Sequence, residues 1–493
     1  MADIRIGNNK WAISNGVQSQ FNAKSDGLLA YSTTENNLYK SVIFDTRRNG
    51  PKFVKNKDNE LVQLANDTGS IDYELDKNGT LRLERSITNR SVNSEVFTSA
   101  NGYSTSFATL TEEDGQASPM NDFRLYHDSR YTLMPVYKLS NTSSVDSYAQ
   151  WVDVGNNSRY AVSAFFKKDV SRYVGFKCLN ASSVAALYVF DLDTGTFVKE
   201  ERLNDSVEGT DKQVNALAIP YANGWYRLCV NFLSGSGANG ARVRFMAFGD
   251  MHGTFTTASG SVFLCGYNAC RVGNTTSAPF KSYVKSVGSF LTNSQDIALR
   301  IGNIQYMLPL LTENPLRGFS MTMKFKLNSI QTGSRFSLHQ TGGGSGVKTS
   351  VEFELYAMTT ANDSSTYDGG FGLRIRHNLG SSGVVGFDFI NPALNTTSLK
   401  TNKEYHIGFT YTSGFLRFSV NGTDANILTN GSQPATNNTI FAPVLNSTAS
   451  RQINDIRFCQ QNSQTQPIPA AIIDYAVYDK SLTQNELNFL TLQ

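Results

Sequence analysis

The residues of this chain that could do chemistry are few and scattered. Its five histidines, His127, His252, His339, His377 and His406, are far apart with no metal-ligand spacing, and neither a GxSxG nor an HExxH motif occurs. His406 lies in an apolar, alternating stretch, where a packed or hydrogen-bonded imidazole is the expected role, because a general base needs a placed partner. Residues 342–349 (GGGSGVKT) resemble a phosphate loop superficially, but Val347 separates Gly346 from Lys348 and no parallel βα unit surrounds them, so a hairpin tip is expected. Asp191 and Asp193 precede Gly195 as alternate carboxylates that a Ca²⁺ loop could use; no third carboxylate follows in register, and an ordinary turn is the expectation. No catalytic residue and no metal ligand set is therefore assigned.

Sugar binding needs different chemistry: an aromatic face against the C–H side of a pyranose, with Asn, Asp or backbone groups fixing the hydroxyls. Residues 360–372 (TANDSSTYDGGFG) have that composition, and Asn362, Asp363, Tyr367 and Asp368 are the candidate glycan-binding residues. The same composition suits a solvated, turn-rich loop, which is the commoner outcome. Trp151, Trp225 and Tyr405 fall in strand-like stretches and are expected in the core.

The elements that must position these residues are strands. Short runs of alternating polarity separated by Gly/Asn/Asp/Ser clusters recur along the chain, and long helical periodicity is missing. Tyr160, Val162, Ala164 and Phe166 form one inward row, Tyr226, Leu228, Val230 and Phe232 another; Leu416, Phe418 and Val420 form a third, ending at Asn421-Gly422, a tight-hairpin signal. Each row needs an opposing sheet, which makes a β-sandwich. The expected fold class is all-β: two antiparallel β-sandwich (jelly-roll) domains, preceded by a small, mostly extended β N-terminal segment and ended by a short C-terminal helix. That helix is marked by a capping box, Thr483 with Glu486, and a staple of Leu482 on Leu487. Polar breaks at residues 91–94 and 288–294 divide the 493 residues into 1–92, 93–292 and 293–493.

Composition excludes several classes. Charged residues are 17% of the chain and the net charge is +3 without a Lys/Arg block, so the footprint of a nucleic-acid surface is missing. The first twenty residues are polar, without a signal-peptide apolar region, and the apolar run 469–478 is too short to span a bilayer and reads as a buried strand. Cys178, Cys229, Cys265, Cys270 and Cys459 are odd in number and lack CxxC pairs, so free thiols are expected.

Several motifs carry a resemblance. Residues 4–12 (IRIGNNKWA), 44–47 (FDTR), 53–56 (FVKN), 71–73 (IDY) and 79–89 (GTLRLERSITN) resemble, in order, the opening of a family of tailed-phage virion-surface proteins, although Ser70 stands where that family usually has Arg. Residues 160–167 (YAVSAFFK), 223–228 (NGWYRL), 262–268 (VFLCGYN) and 278–284 (APFKSYV) resemble carbohydrate-binding-module-like jelly rolls. Residues 404–411 (EYHIGFTY) and 472–483 (IIDYAVYDKSLT) are similar to laminin-G/concanavalin-type sandwiches, in which Asp363 or Asp368 would be placed for a rim Ca²⁺, though no specific motif supports one and no cofactor is assigned.

The resemblance implies a structural protein on the virion surface, a head fibre, capsid decoration or tail fibre assembled in the host cytoplasm. Residues 1–92 would attach to other capsid or tail proteins and support a homo-oligomer, a trimer being usual in such families. The sandwiches would face host-surface polysaccharide, with no nucleic-acid or membrane partner. Two readings stay open beside it: a glycan-degrading enzyme on a jelly-roll fold, and a bacterial adhesin unrelated to phage.

Overall fold

The computed structural model describes residues 17–22, 30–32, 37–39, 45–47, 52–64, 71–84, 86–113, 116–120, 134–180, 183–202, 216–254, 259–273, 281–293, 297–299, 319–327, 335–339, 351–357, 371–378, 384–390, 403–412, 415–424, 428–430, 455–457, 470–478 and 481–492. They form an all-β protein of antiparallel sheets with one α-helix, Gln484–Leu492, among the described residues.

The middle of the chain is a sandwich of two sheets. One is six-stranded, in the order Tyr103–Ser106, Tyr148–Asn156, Ser236–Phe248, Tyr173–Asn180, Ser183–Asp191, Thr196–Arg202. The other runs Ala108–Glu112, Tyr137–Asn141, Ser261–Gly273, Arg159–Lys168, Trp225–Leu233, Ala216–Pro220, with Ile87–Asn89 and Leu291–Asn293 added beside Ser261–Gly273. Register explains the core. Tyr160, Val162, Ala164 and Phe166 pair with Phe232, Val230, Leu228 and Tyr226, so the two rows expected from alternation lie side by side. They face Val174, Phe176, Tyr188, Val243 and Phe245 of the six-stranded sheet in one cluster, with Trp151 and Tyr267 among them. Ring pairs such as Phe245–Tyr267, 4.9 Å apart and edge to face, lock its centre.

Alternation alone would leave the other face of the Arg159–Lys168 and Trp225–Leu233 strands wet. Instead Ala161, Phe165, Trp225, Arg227, Cys229 and Asn231 are buried too. A second apolar layer covers them: Phe53 and Leu61 from the N-terminal segment, Met120, Met134, Tyr221 and Tyr283 pack on Phe165, Trp225 and Cys265. The four described cysteines are free and buried.

The 91–94 stretch, polar by sequence, is a packed corner. Ser91 Oγ meets Tyr103 OH at 2.9 Å, and Ser94 Oγ accepts from Tyr283 OH and the Ser286 amide. Next to it, buried Asn89 donates to the Val284 carbonyl and accepts from the Ala269 amide, so its side chain stands in for a missing ladder partner.

Toward the C-terminus, one sheet runs Thr423–Asp424, Phe415–Val420, Glu404–Thr412, Phe319–Leu327, Ala470–Tyr478, Thr80–Leu83, Ile71–Asp72. Phe319–Leu327 takes one edge of Ala470–Tyr478 along its length. The opposite edge is shared by two N-terminal strands, Val17–Asn22 at residues 474–478 and Thr80–Leu83 at 470–472. The second sheet runs Leu428–Asn430, Val384–Ile390, Phe371–Asn378, Val351–Ala357, Arg335–His339, Asp455–Arg457, Ile297–Leu299, Asp45–Arg47, so an N-terminal strand closes this sheet as well.

Local signals behave as read. Asn421 and Gly422 take φ of 50° and 76°, the positive values a two-residue hairpin turn requires. The Thr483 amide donates to Glu486 Oε2 at 2.8 Å while the Glu486 amide donates to Thr483 Oγ1 at 3.2 Å, a reciprocal cap, and Leu482 packs with Leu487.

Candidate functional site

Two polar regions stand out, one sealed and one open. The sealed one lies where residues 52–84 meet the outer layer of the middle sandwich. Arg82 Nη1 donates to Asp72 Oδ2 at 2.9 Å and Glu74 Oε2 at 2.7 Å, and its Nη2 donates to Glu84. Glu74 Oε1 accepts from Arg227 Nη1 at 2.7 Å and from the Tyr221 hydroxyl. Arg227 also donates to Ser163 Oγ at 3.0 Å and the Lys281 carbonyl at 2.6 Å, and Lys52 Nζ donates to the Arg82 carbonyl at 2.8 Å, 4.0 Å from Glu84. Lys52, Arg82 and Arg227 lie within 4.0 Å of these three carboxylates, and a fourth buried cation, Lys55, sits over the Tyr221 ring at 5.4 Å and feels Glu74 and Asp72 through space.

Burial opposes ionising Glu84, yet the Arg82 and Lys52 charges and the Ser282 amide outweigh it and hold the carboxyl at about 2. For Asp72, burial and the neighbouring Glu74 carboxylate prevail over Arg82 and push the carboxyl up. Every carboxylate here is bonded to a guanidinium inside the protein, which fixes geometry and leaves no oxygen to exchange protons with a substrate.

The open region is the outer face of the six-stranded sheet. Alternation along ARVRFMAF puts Ala241, Val243, Phe245 and Ala247 in the core and Arg242, Arg244, Met246 and Phe248 on the other side. Register builds rows across it: Gln150, Arg244, Lys177 and Leu187 in one, Val152, Arg242 and Leu179 in the next. Toward the other end, Val189, Met246 and Phe248 form a small apolar cluster, flanked by half-buried Tyr148, Tyr173, Leu187 and Val198. The turn at 250–254 folds over that end: a Cβ on Gly253 would lie 3.1 Å from Val189, and the His252 carbonyl accepts from Lys199 Nζ at 3.1 Å.

The Arg244 guanidinium lies 3.8 Å from the centre of the Tyr148 ring, and Arg172 lies 5.2 Å from that of Tyr173. Arg244 Nε donates to Gln150 Oε1 at 2.9 Å, and Asp146 accepts from Arg244 Nη1 at 2.7 Å and Lys177 Nζ at 2.9 Å. Half-buried tyrosines beside amide and guanidinium groups on paired strands, with a carboxylate on the adjoining turn, are what a sugar-binding surface requires.

The residues singled out by sequence fare differently. Asn362, Asp363, Tyr367 and Asp368 lie outside the described residues, as do residues 342–349 and Cys459. Trp151, Trp225 and Tyr405 are core residues as expected, 2%, 0% and 1% exposed, and the Trp225 indole donates to the Ala117 carbonyl at 2.8 Å. Asp191 and Asp193 sit in a turn: Asp191 takes a two-pronged contact from Arg172, at 2.9 and 2.6 Å, and its Oδ1 accepts the Asp193 amide. Asp193 pairs with Lys168 at 2.6 Å. Arg172 therefore holds the Asp191 carboxyl well below the usual range, and both acids have cationic partners. Among the described residues no group of three or more His, Cys, Asp or Glu is placed to hold a metal. His406 is packed on its strand, its imidazole nitrogens without hydrogen-bond partners among the described residues. Burial and the nearby Lys324 ammonium push its pKa down to about 3, so it is neutral near pH 7.

Sequence reasoning passed over Tyr148, Tyr173, Lys177, Arg242 and Arg244. The alternation in residues 241–248 was available as a signal, but the tyrosines, glutamine and lysine that share its outer face come from strands 60 or more residues away.

No protein family matches the chain in a scan of family descriptions, and no curated protein matches it. Among solved structures, it is similar to the CBM40 module of Ruminococcus gnavus IT-sialidase bound to α2,3 sialyllactose, at 14% identity over 36% of this chain and 83% of that one, TM-score 0.24. It is similar too to domain 4 of AbnA, a GH43 extracellular arabinanase from Geobacillus stearothermophilus in complex with arabinotriose, at 14% identity over 40% of this chain and 73% of that one, TM-score 0.24. The receptor-binding domain of the botulinum neurotoxin C/D mosaic serotype overlaps at 11% identity over 40% of each chain, TM-score 0.25. These neighbours are carbohydrate-binding or receptor-binding jelly rolls; the overlaps are partial and low in identity, and they assign no ligand to this chain.

Proposed function

We propose that the protein is a non-catalytic surface component of a tailed-phage particle, a head fibre, capsid decoration or tail fibre, whose middle sandwich binds host-surface glycans through the outer face of its six-stranded sheet. The observation that carries the glycan half is the set of Tyr148, Tyr173, Gln150, Lys177, Arg242 and Arg244 on one strand-built surface. An aromatic ring offers a pyranose its hydrophobic face, and the amide and guanidinium donors beside it fix hydroxyls. A flat sheet surface of this kind gives weak single contacts, which many copies on one particle raise by avidity.

The phage half rests on the ordered motifs at residues 4–12, 44–47, 71–73 and 79–89 and on the two sandwich resemblances that follow them. In this reading the leading residues fasten the protein to capsid or tail and the chain assembles as a homo-oligomer, a trimer by family resemblance. Three close carboxylates among the described residues, Asp72, Glu74 and Glu84, are bonded to guanidinium groups in the interior, which suits a structural role better than acid–base work.

Two measurements test the proposal. Antibodies to the protein should label purified particles in electron micrographs; mature phage without the chain would rule out the virion role. The full-length protein on an array of bacterial surface polysaccharides should retain at least one of them, and Tyr148→Ala with Tyr173→Ala should abolish retention while the thermal midpoint holds. No retention by any polysaccharide would leave only an architectural role.

A further inference from the structure

The outer face of the six-stranded sheet carries unbalanced charge. Lys177, Arg242 and Arg244 stand on it in adjacent rows, and the one carboxylate set among them in the described residues is Asp146, already shared between Lys177 and Arg244. At the margins the charges cancel locally, Arg172 with Asp191 and Lys199 with Glu201 at 3.1 Å. Three cations against one acid leave a surplus of two positive charges on the surface that holds the tyrosines.

Arg242 adds a second, independent observation. It is half-buried on the central strand between Val152 and Leu179, and its Nε, shut off from solvent, has no hydrogen-bond partner among the described residues. Arg242 is paired with no carboxylate among the described residues, and an anionic acceptor arriving at the solvent-facing end of its guanidinium would supply the missing counter-charge through a charge-assisted bond.

We infer that the glycan bound on this face is an acidic polysaccharide, one whose sugar carboxylates are met by Arg242 together with Lys177 and Arg244. The inference rests on the middle sandwich being the glycan-binding module and adds the class of sugar. Tyr148 and Val152, the neighbour of Arg242, are four residues apart on one strand, about 13 Å at the usual rise. A ligand that meets Arg242 as well as Tyr148 must therefore span more than one sugar ring, as a polysaccharide chain does.

Affinity electrophoresis of the full-length protein in gels containing polygalacturonate, dextran, a teichoic acid or duplex DNA tests this. Retardation by polygalacturonate that exceeds the other three, and that fades as salt is raised, is the expected result. Arg242→Gln and Lys177→Gln should each weaken it about tenfold, the effect of one lost charge-assisted bond, with the thermal midpoint unchanged. Equal retardation by dextran would overturn the acidic class while leaving glycan binding in place. Preference for teichoic acid would overturn the carboxylate assignment, and equal retardation by DNA would reduce the effect to general polyanion attraction. Full affinity in Arg242→Gln would move the site elsewhere, and no retardation in any gel would overturn both this inference and the glycan-binding reading.

Discussion

The sealed cluster around Arg82 and the open face around Arg242 use the same residue types to opposite ends. In the first, Lys52, Arg82 and Arg227 each have a carboxylate within 4.0 Å, and each of the three carboxylates is held by a cation in return. In the second, three cations surround one carboxylate beside solvent. Charge taken out of water must be matched, because desolvation costs several kcal/mol per ion and only close partners offset it. Charge left at the surface carries no such demand, so a surplus there is free to act on whatever arrives from solution. Paired charge in the sealed cluster holds the chain together; the surplus on the sheet face points outward.

The largest test of that contrast removes one side of the sealed cluster together with its cover. A chain beginning at residue 93 lacks Asp72, Glu74 and Glu84, which leaves Arg227 without its carboxylate, and lacks Phe53 and Leu61, which strips the second layer from Trp225 and Tyr283. A buried charge without its partner costs about 3–5 kcal/mol, and each lost apolar side chain adds about 2–5 kcal/mol. The sum approaches the whole stability of an ordinary domain, so the middle sandwich should lose its cooperative thermal transition. A sharp transition at an unchanged midpoint would show that the N-terminal segment is an appendage, and the contrast would fail.

Next in size is Arg82→Met, which leaves three carboxylates facing an apolar side chain. A loss of about 3–5 kcal/mol is expected in urea unfolding. Arg242→Gln in the same assay should cost less than about 1 kcal/mol, because half-buried Arg242 has no ion pair among the described residues to break. Similar losses for the two variants would erase the distinction between the regions.

How much of this was legible in the sequence follows from how local each cause is. The Thr483/Glu486 cap and the Asn421-Gly422 turn are decided within a few residues, and they appear where expected. The inward rows at residues 160–166 and 226–232 are also local, because side chains on a strand alternate. Arg227 and Asn231 sit in the second of those strands and are nonetheless buried, because Glu74, 153 residues earlier, reaches Arg227, and Arg159 Nη1 donates to Asn231 Oδ1 at 3.3 Å. Nothing near Arg227 in the sequence signals that partner. The outer face was hidden for the same reason: strand pairing brings Lys177 beside Arg244, and Asp146 bonds both from the turn before the Tyr148–Asn156 strand. The glycan site expected at Asn362, Asp363, Tyr367 and Asp368 rested on loop composition, which carries no information about spatial neighbours.

His406 offers a third state between the two, half-buried, with both imidazole nitrogens shut off from solvent and neither bonded among the described residues. Its folded pKa of about 3 lies below the unfolded value of about 6.5, so between those limits the unfolded chain binds more protons than the folded one. Stability is therefore complete above about pH 6.5 and falls as pH drops toward 3. Thermal midpoints of the C-terminal transition should decline through this window in the wild type, and the decline should be shallower in His406→Leu. Parallel declines would mean that the imidazole is not the group excluded from protonation.

The smallest effect on stability comes from Asp146→Asn, and it separates the two regions by sign. Asp146 is 42% exposed, and exposed ion pairs contribute about 0–1 kcal/mol, so the midpoint should barely move. Its removal nevertheless raises the surplus on the outer face from two positive charges to three and frees donors of Lys177 and Arg244. Retardation by polygalacturonate should then strengthen by several-fold at low salt, an increase that salt erases. The matching change in the sealed cluster, Glu74→Gln, should act in the opposite sense: it removes a buried partner of Arg82 and Arg227, lowers stability by about 3–5 kcal/mol, and leaves the outer-face affinity of the remaining folded protein unchanged. Weaker retardation in Asp146→Asn would mean that the carboxylate positions its two cations for the ligand, and that their order matters more than their surplus.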